Sequence, residues 1–312
     1  MRVLNGALQI QYRGRLASCN YDCGYCPFAK RKDSRAQLAR DRANLERFVC
    51  WVTDYPAPVA ILFTPWGEAL TRRYYQQAIR TLSHLPQVQR VAVQTNLSAP
   101  LGWLEQCDPE RVALWSTYHP SQTRRERFLA RCTWLLQHGI RFSVGMVGNR
   151  ADLAEAEALR AALPETVYLW INVNRAQQAA YTTAELARWQ AIDPLFALNL
   201  PRYPSGGRPC LAGSQSISVA GDGTVQRCHF VKKPLGNLYQ AAAYVPDTGP
   251  CPNTECHCHI GYIQLEHLQL YGVFGDGLLE RIPVQTGLAQ TGAPLSLSVS
   301  RTRSFITPSS PP

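Results

Sequence analysis

Short strand-like runs alternating with stretches of helical periodicity constrain this chain more than any other feature of its sequence. Residues 7–12 alternate apolar and polar side chains, and residues 59–63, Val-Ala-Ile-Leu-Phe, form the continuous apolar run of a strand buried on both faces. Further strands are expected at 90–96, 111–119, 141–147 and 167–174. Helices are expected at 34–51, 74–85, 124–138, which Gly139 stops, and 151–162. Strand-helix units in succession imply a parallel sheet, and right-handed crossovers curl it so that functional residues gather at the strands' C-terminal ends. The expected fold is therefore α/β, a partial (β/α)6 TIM-like barrel over residues 1–200.

A chain of 312 residues has room for that barrel and a small companion domain. No apolar run approaches the roughly 20 residues of a transmembrane helix. The N-terminal apolar stretch is too short and interrupted for a signal peptide, so a cytoplasmic protein without membrane contact is expected. The net charge of +10 favours anionic partners. Lys30, Arg31, Lys32, Arg35, Arg40, Arg42 and Arg47 follow the cysteine loop and run into the first helix. With no nucleic-acid-binding motif beside them, they read as a solvated helix face ahead of a docking surface. Of 11 cysteines, eight fall at 19–26 and 210–258, the clustering of metal ligands and not of a disulfide framework. Cys50, Cys107 and Cys132 read as buried free thiols.

The first cluster places Cys19, Cys23 and Cys26 on one short loop at C-x3-C-x2-C spacing. Thiolate is the ligand that iron–sulfur clusters and zinc select, yet a structural site wants four protein ligands and the fourth is missing locally. A [4Fe-4S] cluster on three cysteines leaves one iron open to a small molecule. Gly24 would let the loop wrap closely around it, and Tyr25 could cover the adenine of a ligand. A zinc site completed from elsewhere, or three core cysteines, would use the same residues. With an aromatic residue before the third cysteine, the loop resembles the C-x3-C-aromatic-C signature of the radical S-adenosylmethionine (SAM) superfamily.

Residues 64–70, Thr-Pro-Trp-Gly-Glu-Ala-Leu, occupy the turn after the second strand. A glycine there lets the backbone approach a ligand, and a carboxylate can pair with a ligand ammonium group. Trp66-Gly67-Glu68 resembles the superfamily's Gly-Gly-Glu motif, whose backbone binds the amino group of SAM; tryptophan stands at the first glycine position. Gln94, Thr95, Asn96, Ser116, His119, Asn172 and Asn174 sit at or beyond strand ends. The resemblance makes Asn96, Ser116 and Asn172 candidates for SAM contacts, against the plainer reading that they end strands with turn hydrogen bonds.

After the Pro/Gly-rich stretch 201–209 the alternation ceases. Two alternating segments about Gly221-Asp222-Gly223 make a β-hairpin that would bring Cys210 and Cys228 together, and Cys251, Cys256 and Cys258 follow. The spacing C-x12-G-x4-C resembles the start of the SPASM and twitch auxiliary-cluster domains, in the truncated form with one cluster. Four of these five cysteines would hold a second [4Fe-4S] cluster; zinc is the rival, with His229, His257 and His259 nearby. This small cysteine-rich hairpin/helix domain is expected over 201–282, its last segment, 261–282, closing the barrel's side, and a disordered tail over 283–312.

The resemblance implies reductive cleavage of SAM at the first cluster to a 5′-deoxyadenosyl radical, which abstracts a hydrogen from a substrate. A one-electron donor of flavodoxin or ferredoxin type would serve it. The substrate would be a peptide, a protein or a small metabolite; the stretch before Cys19 holds no separate leader-peptide-recognition domain, which weakens a ribosomal-peptide reading. The alternative from another class is a non-enzymatic zinc or iron–sulfur module binding nucleic acid through its basic face.

Overall fold

The computed structural model describes residues 6–28, 31–241 and 243–284. The alternation resolves into β1 (Leu8–Arg13), α1 (Arg35–Asp54), β2 (Val59–Phe63), α2 (Arg73–Ser83), β3 (Val88–Thr95), β4 (Val112–Tyr118), α3 (Arg125–Gln137), β5 (Arg141–Gly148), α4 (Leu153–Ala162) and β6 (Leu169–Val173). A fifth helix, α5 (Thr183–Ile192), follows behind a Thr182–Glu185 capping box. Strands β1 to β6 pair in parallel in chain order, so the fold is α/β, a partial TIM-like barrel.

Parity along each strand divides the core. Val59, Ile61 and Phe63 of β2, with Val91 and Val93 of β3, pack under the helices. Ala60 and Leu62, Ala92, Ala113 and Trp115, and Trp170 face the barrel interior. Helix α1 buries Asp41, Leu45, Phe48 and Val52, while Arg35, Arg40, Arg42 and Arg47 are solvated. Cys107 and Cys132 are buried as expected, but Cys50 is exposed, because it lies off the Leu45–Val52 stripe.

Beyond β7 (Tyr203–Pro204), the expected hairpin is β8 (Ser216–Ala220) and β9 (Thr224–Gln226), with Gly223 at φ +86°. The hairpin continues the barrel's sheet. Strand β8 pairs in parallel with β1, Gln9 opposite Ser216 and Arg13 opposite Ala220, and β10 (Pro234–Asn237) completes the edge. Strand β11 (Glu255–Cys256) pairs with β7. The last segment carries short helices α6 (His259–Tyr262) and α7 (Leu270–Phe274). Ile260 and Leu279, at its two ends, join the interior cluster, and the Ile260 carbonyl accepts from Gln11 Nε2 at 3.1 Å. Tyr262, Ile263, Leu265, Leu270, Phe274 and Leu278 between them pack with Leu195, Leu198, Tyr203 and Cys210 in a separate core cluster. Fully buried Glu280 meets Arg141 and, at 3.7 Å, Arg90. These arginines stand near the N-terminal ends of β5 and β3, so their charge compensates Glu280 at the barrel's lower end. The tail expected to be disordered lies, from residue 285, outside the described residues.

Candidate active site

Two carboxylates of the α1 region fix the backbone that enters the cysteine loop. Asp41 Oδ1 accepts from the N–H groups of Arg15 and Leu16 at 2.6 and 3.1 Å. Asp33 Oδ2 accepts from Ala17 N, Ser18 N and Ser18 Oγ at 2.9, 2.8 and 2.8 Å. The turn after β2 then runs alongside. Gly67 N–H donates to Leu16 O at 3.0 Å and Glu68 N–H to Ser18 O at 3.1 Å. A Cβ on Gly67 would stand 2.2 Å from Ser18 O, so this close approach requires glycine. At Gly24 a Cβ would meet no atom within 4 Å, so packing of the chain itself does not demand that glycine.

Glu68 is buried and its carboxylate accepts from Leu70 N (3.0 Å), Thr95 Oγ1 (2.8 Å) and Asn96 N (2.6 Å). Three protein donors engage Glu68, which joins the β2 turn to the end of β3, and of a carboxylate's roughly four acceptor sites one is left toward the cavity it lines. Burial raises its pKa, opposed by those donors. Asn96, placed by that contact, donates from Nδ2 to Cys19 Sγ at 3.6 Å and to Asn20 Oδ1 at 3.1 Å. Tyr21 N–H also reaches Cys19 Sγ, at 3.4 Å. Burial raises the Cys19 thiol, with the Tyr21 contact opposing.

The opposite wall clasps the same loop. Asp22 N–H donates to Gln122 Oε1 at 3.0 Å, and Gln122 Nε2 returns to Asp22 O at 3.3 Å. Tyr25 Oη lies 2.7 Å from His119 Nδ1 and the rings stack at 6.0 Å, while Tyr21 meets His119 edge-on. Burial holds the imidazole down to about 4, so His119 is neutral, and its Nδ1 and Tyr25 Oη share one hydrogen bond. Of the two readings open for His119, the structure shows a histidine that orients the aromatic of the cysteine loop.

These elements enclose a cavity of about 540 Å³ at the C-terminal ends of the strands, the size and place of a small-molecule site. Cys19, Cys23, Cys26, Tyr25, Trp66, Gly67, Glu68, Asn96 and Asn172 line it, with Gln94, Thr95, His119 and Asn174. Ser116 does not. It shares the parity of Val112, Leu114 and Tyr118, which pack under the helices, and its neighbours Trp115 and Thr117 face the cavity instead. Strand parity set by Ala113 and Trp115 carried that signal. Trp170 and Arg175 were also missed. Gly145 makes room for Trp170, since a Cβ there would stand 1.9 Å from the indole. Trp170 Nε1 is buried without a partner. The Arg175 guanidinium donates to Gln178 Oε1, Leu200 O, Pro201 O and His257 O, and among the described residues to no carboxylate.

The donor set suits a cluster with three protein ligands. The cavity lining offers three thiols, no fourth cysteine, a histidine committed to Tyr25 and a carboxylate committed to three donors. Among the described residues no three His, Cys, Asp or Glu side chains converge as ligands of one ion.

A second cavity, of about 470 Å³, is lined by Cys210, Cys228, Cys251 and Cys256. The hairpin brings the first two together, and Gly261 leaves space beside Cys256 Sγ, 2.9 Å from where a Cβ would lie. Burial, then the neighbouring Cys258, Cys228 and Cys251, push the Cys256 thiol up to about 12. Cys258 is absent from that lining; it packs against the Trp115–Trp170 cluster, and burial raises its thiol pKa, opposed by the Ile260 amide, Arg13 and Arg281.

Neither a protein-family model nor a curated protein matches the sequence. Solved structures do match in fold. SuiB of Streptococcus suis bound to S-adenosylmethionine superposes with a TM-score of 0.53 at 13% identity, over 78% of this chain. The match spans 66% of SuiB, just under two thirds of its length. The anSMEcpe enzyme with bound AdoMet gives 0.48 at 11% identity over 74% of this chain and 75% of its own. BtrN in an open conformation gives 0.34 at 16% identity over 74% and 75%. The SuiB superposition shows that this chain shares the fold of that S-adenosylmethionine-bound protein.

Proposed function

We propose that the chain is a radical SAM enzyme whose [4Fe-4S] cluster is held by Cys19, Cys23 and Cys26 and whose SAM lies in the cavity above it. One observation carries the reading: three thiols without a fourth share a lining with Trp66-Gly67-Glu68 and the ends of β3 and β6. When bound and reduced by one electron, the cluster and SAM supply a 5′-deoxyadenosyl radical that takes a hydrogen atom from substrate. The chain's own residues orient and enclose. Glu68 and Asp33 fix the loop, Asn96 and the Tyr21 amide donate to Cys19 sulfur, and His119 holds Tyr25 against the cavity. Asn172 and Asn174 offer polar contacts at the β6 rim, while Trp115 and Trp170 form an apolar floor that keeps water from a reactive species.

For the second set we propose Cys210, Cys228, Cys251 and Cys256 as ligands of an auxiliary [4Fe-4S] cluster, with Cys258 outside it. Their common cavity supports this choice, and Arg227, paired with Asp247 at 3.0 Å, also lies near enough to Cys210 to favour its thiolate.

Anaerobic reconstitution followed by iron and sulfide analysis, then dithionite and SAM, tests both. About eight irons and 5′-deoxyadenosine formation abolished by Cys26→Ala are expected. Bound zinc with no SAM cleavage would refute the reading and leave a metal-stabilised binding module.

A further inference from the structure

A third cavity, of about 460 Å³, opens beside the SAM cavity at the C-terminal ends of β1 and β8. Trp66 lines both. Its indole is 52% exposed and stacks on Phe28, itself 44% exposed, at 5.9 Å, so a pair of aromatic rings forms the ridge between the two. The third cavity holds three guanidinium groups, Arg13, Arg15 and Arg40, against one carboxylate, Asp33. Asp33, its Oδ2 held by the neutral donors Ala17 N, Ser18 N and Ser18 Oγ, keeps its charge and offsets one of the three, so the lining residues remain cationic in sum. Arg15 reaches Asp222 at 3.5 Å in a half-exposed pair, worth little in water. Arg13 donates to Thr64 O and Oγ1 at 3.2 and 3.5 Å. Neither Arg13 nor Arg40 forms an ion pair with a carboxylate among the described residues.

Excess cationic charge inside a concave wall concentrates anions. A compact metabolite fills one cavity of this size, whereas a ligand reaching both must be extended and must cross the Trp66–Phe28 ridge. We propose that the third cavity seats carboxylate side chains of an acidic peptide substrate, whose reacting residue lies across Trp66 in the SAM cavity. This deepens the proposed function and rests on it only for the chemistry of the reacting residue.

Binding is measurable without turnover. Fluorescein-labelled hexaglutamate is titrated with the reconstituted protein and followed by anisotropy at low and high salt. Binding that weakens with salt is expected. Arg15→Glu and Arg40→Glu, each folded by circular dichroism, should weaken it about tenfold or more. Arg188→Glu, the same charge change on the surface of α5, should alter it by less than about twofold. The proposal is overturned by absence of binding, by equal losses in all three variants, or by inorganic pyrophosphate displacing the label more effectively than unlabelled hexaglutamate. In the last case the cavity is a phosphate site. If hexaglutamate fails to bind while 5′-deoxyadenosine forms, this inference falls and the radical SAM reading stands.

Discussion

Gly67→Ala should displace the cysteine loop without touching a cysteine. The added Cβ would lie 2.2 Å from Ser18 O, 2.8 Å from Ser18 C and 2.9 Å from Ser18 N, all backbone atoms that no rotamer change can move away. Relief to ordinary contact needs a shift of roughly 1 Å. The hydrogen bonds Gly67 N–Leu16 O and Glu68 N–Ser18 O, at 3.0 and 3.1 Å, cannot survive that shift. Their loss costs about 1 kcal/mol each, and overpacking adds about 1 to 3 kcal/mol. A total of about 3 to 5 kcal/mol lowers the melting temperature by about 5 to 8 °C. A misplacement of ~1 Å between cluster and cavity lowers SAM cleavage by about 100-fold. The assay pairs anaerobic thermal unfolding with the rate of 5′-deoxyadenosine formation, using Gly102→Ala, where a Cβ meets nothing within 4 Å, as the tolerated control. A Gly67→Ala protein with unchanged melting temperature and cleavage rate would refute the reasoning.

Glu68→Gln sets an amide donor against one of the three donors that the carboxylate now accepts. A loss of about 1 to 3 kcal/mol in urea unfolding is expected. Gly145→Ala forces the Trp170 ring from its place and should shift tryptophan emission along with a loss of about 1 to 3 kcal/mol. Burial lowers His119 to about 4 from 6.5, so the unfolded chain binds a proton that the folded chain refuses between those values. Stability is therefore full above 6.5 and falls as pH drops toward 4, by on the order of 3 kcal/mol; urea midpoints across that range should flatten in His119→Asn. Cys228→Ala and Cys251→Ala should each lose the second site's iron while Cys258→Ala keeps it, as counted by iron analysis.

The barrel was legible where its signal is local. Strand β2 lies where the apolar run 59–63 placed it, and Gly139, at φ +65°, follows α3 as expected. Parity was legible too but was not carried along β4, which is why Ser116 stood in for Thr117. Helix α5 was missed although Thr182 and Glu185 spell its capping box. What sequence could not carry was non-local. The pairing of β8 with β1 joins residues 9 and 216, and Arg175 is held by carbonyls at 200, 201 and 257. The mixed spacing of 261–282 hid its destination, because the segment divides its apolar residues between a cluster around Tyr203 and Cys210 and, through Leu279, the barrel interior, and so has no single apolar face.

That β8–β1 pairing also decides how the two cysteine sets relate. Had the hairpin been a separate module, the second set would ride on a linker and its distance from the SAM cavity would vary. Here one sheet joins the Cys19 loop to Cys228, because β1 leads into the first and β9 into the second, while Cys256 lies on the separate β11–β7 pair. The joint is cross-braced by polar contacts. His229, next to Cys228, has Nδ1 2.6 Å from Ser218 Oγ on β8 and Nε2 3.5 Å from Thr64 Oγ1. Arg13, the last residue of β1, donates to the same threonine. Thr64 in turn begins the turn whose Gly67 and Glu68 amides hold the cysteine loop. A substrate lying between the sets would thus meet walls whose spacing is fixed by backbone hydrogen bonds. Loss of the second site's metal should then reach the first through Thr64, by changing the position of that turn and not by loosening a domain contact.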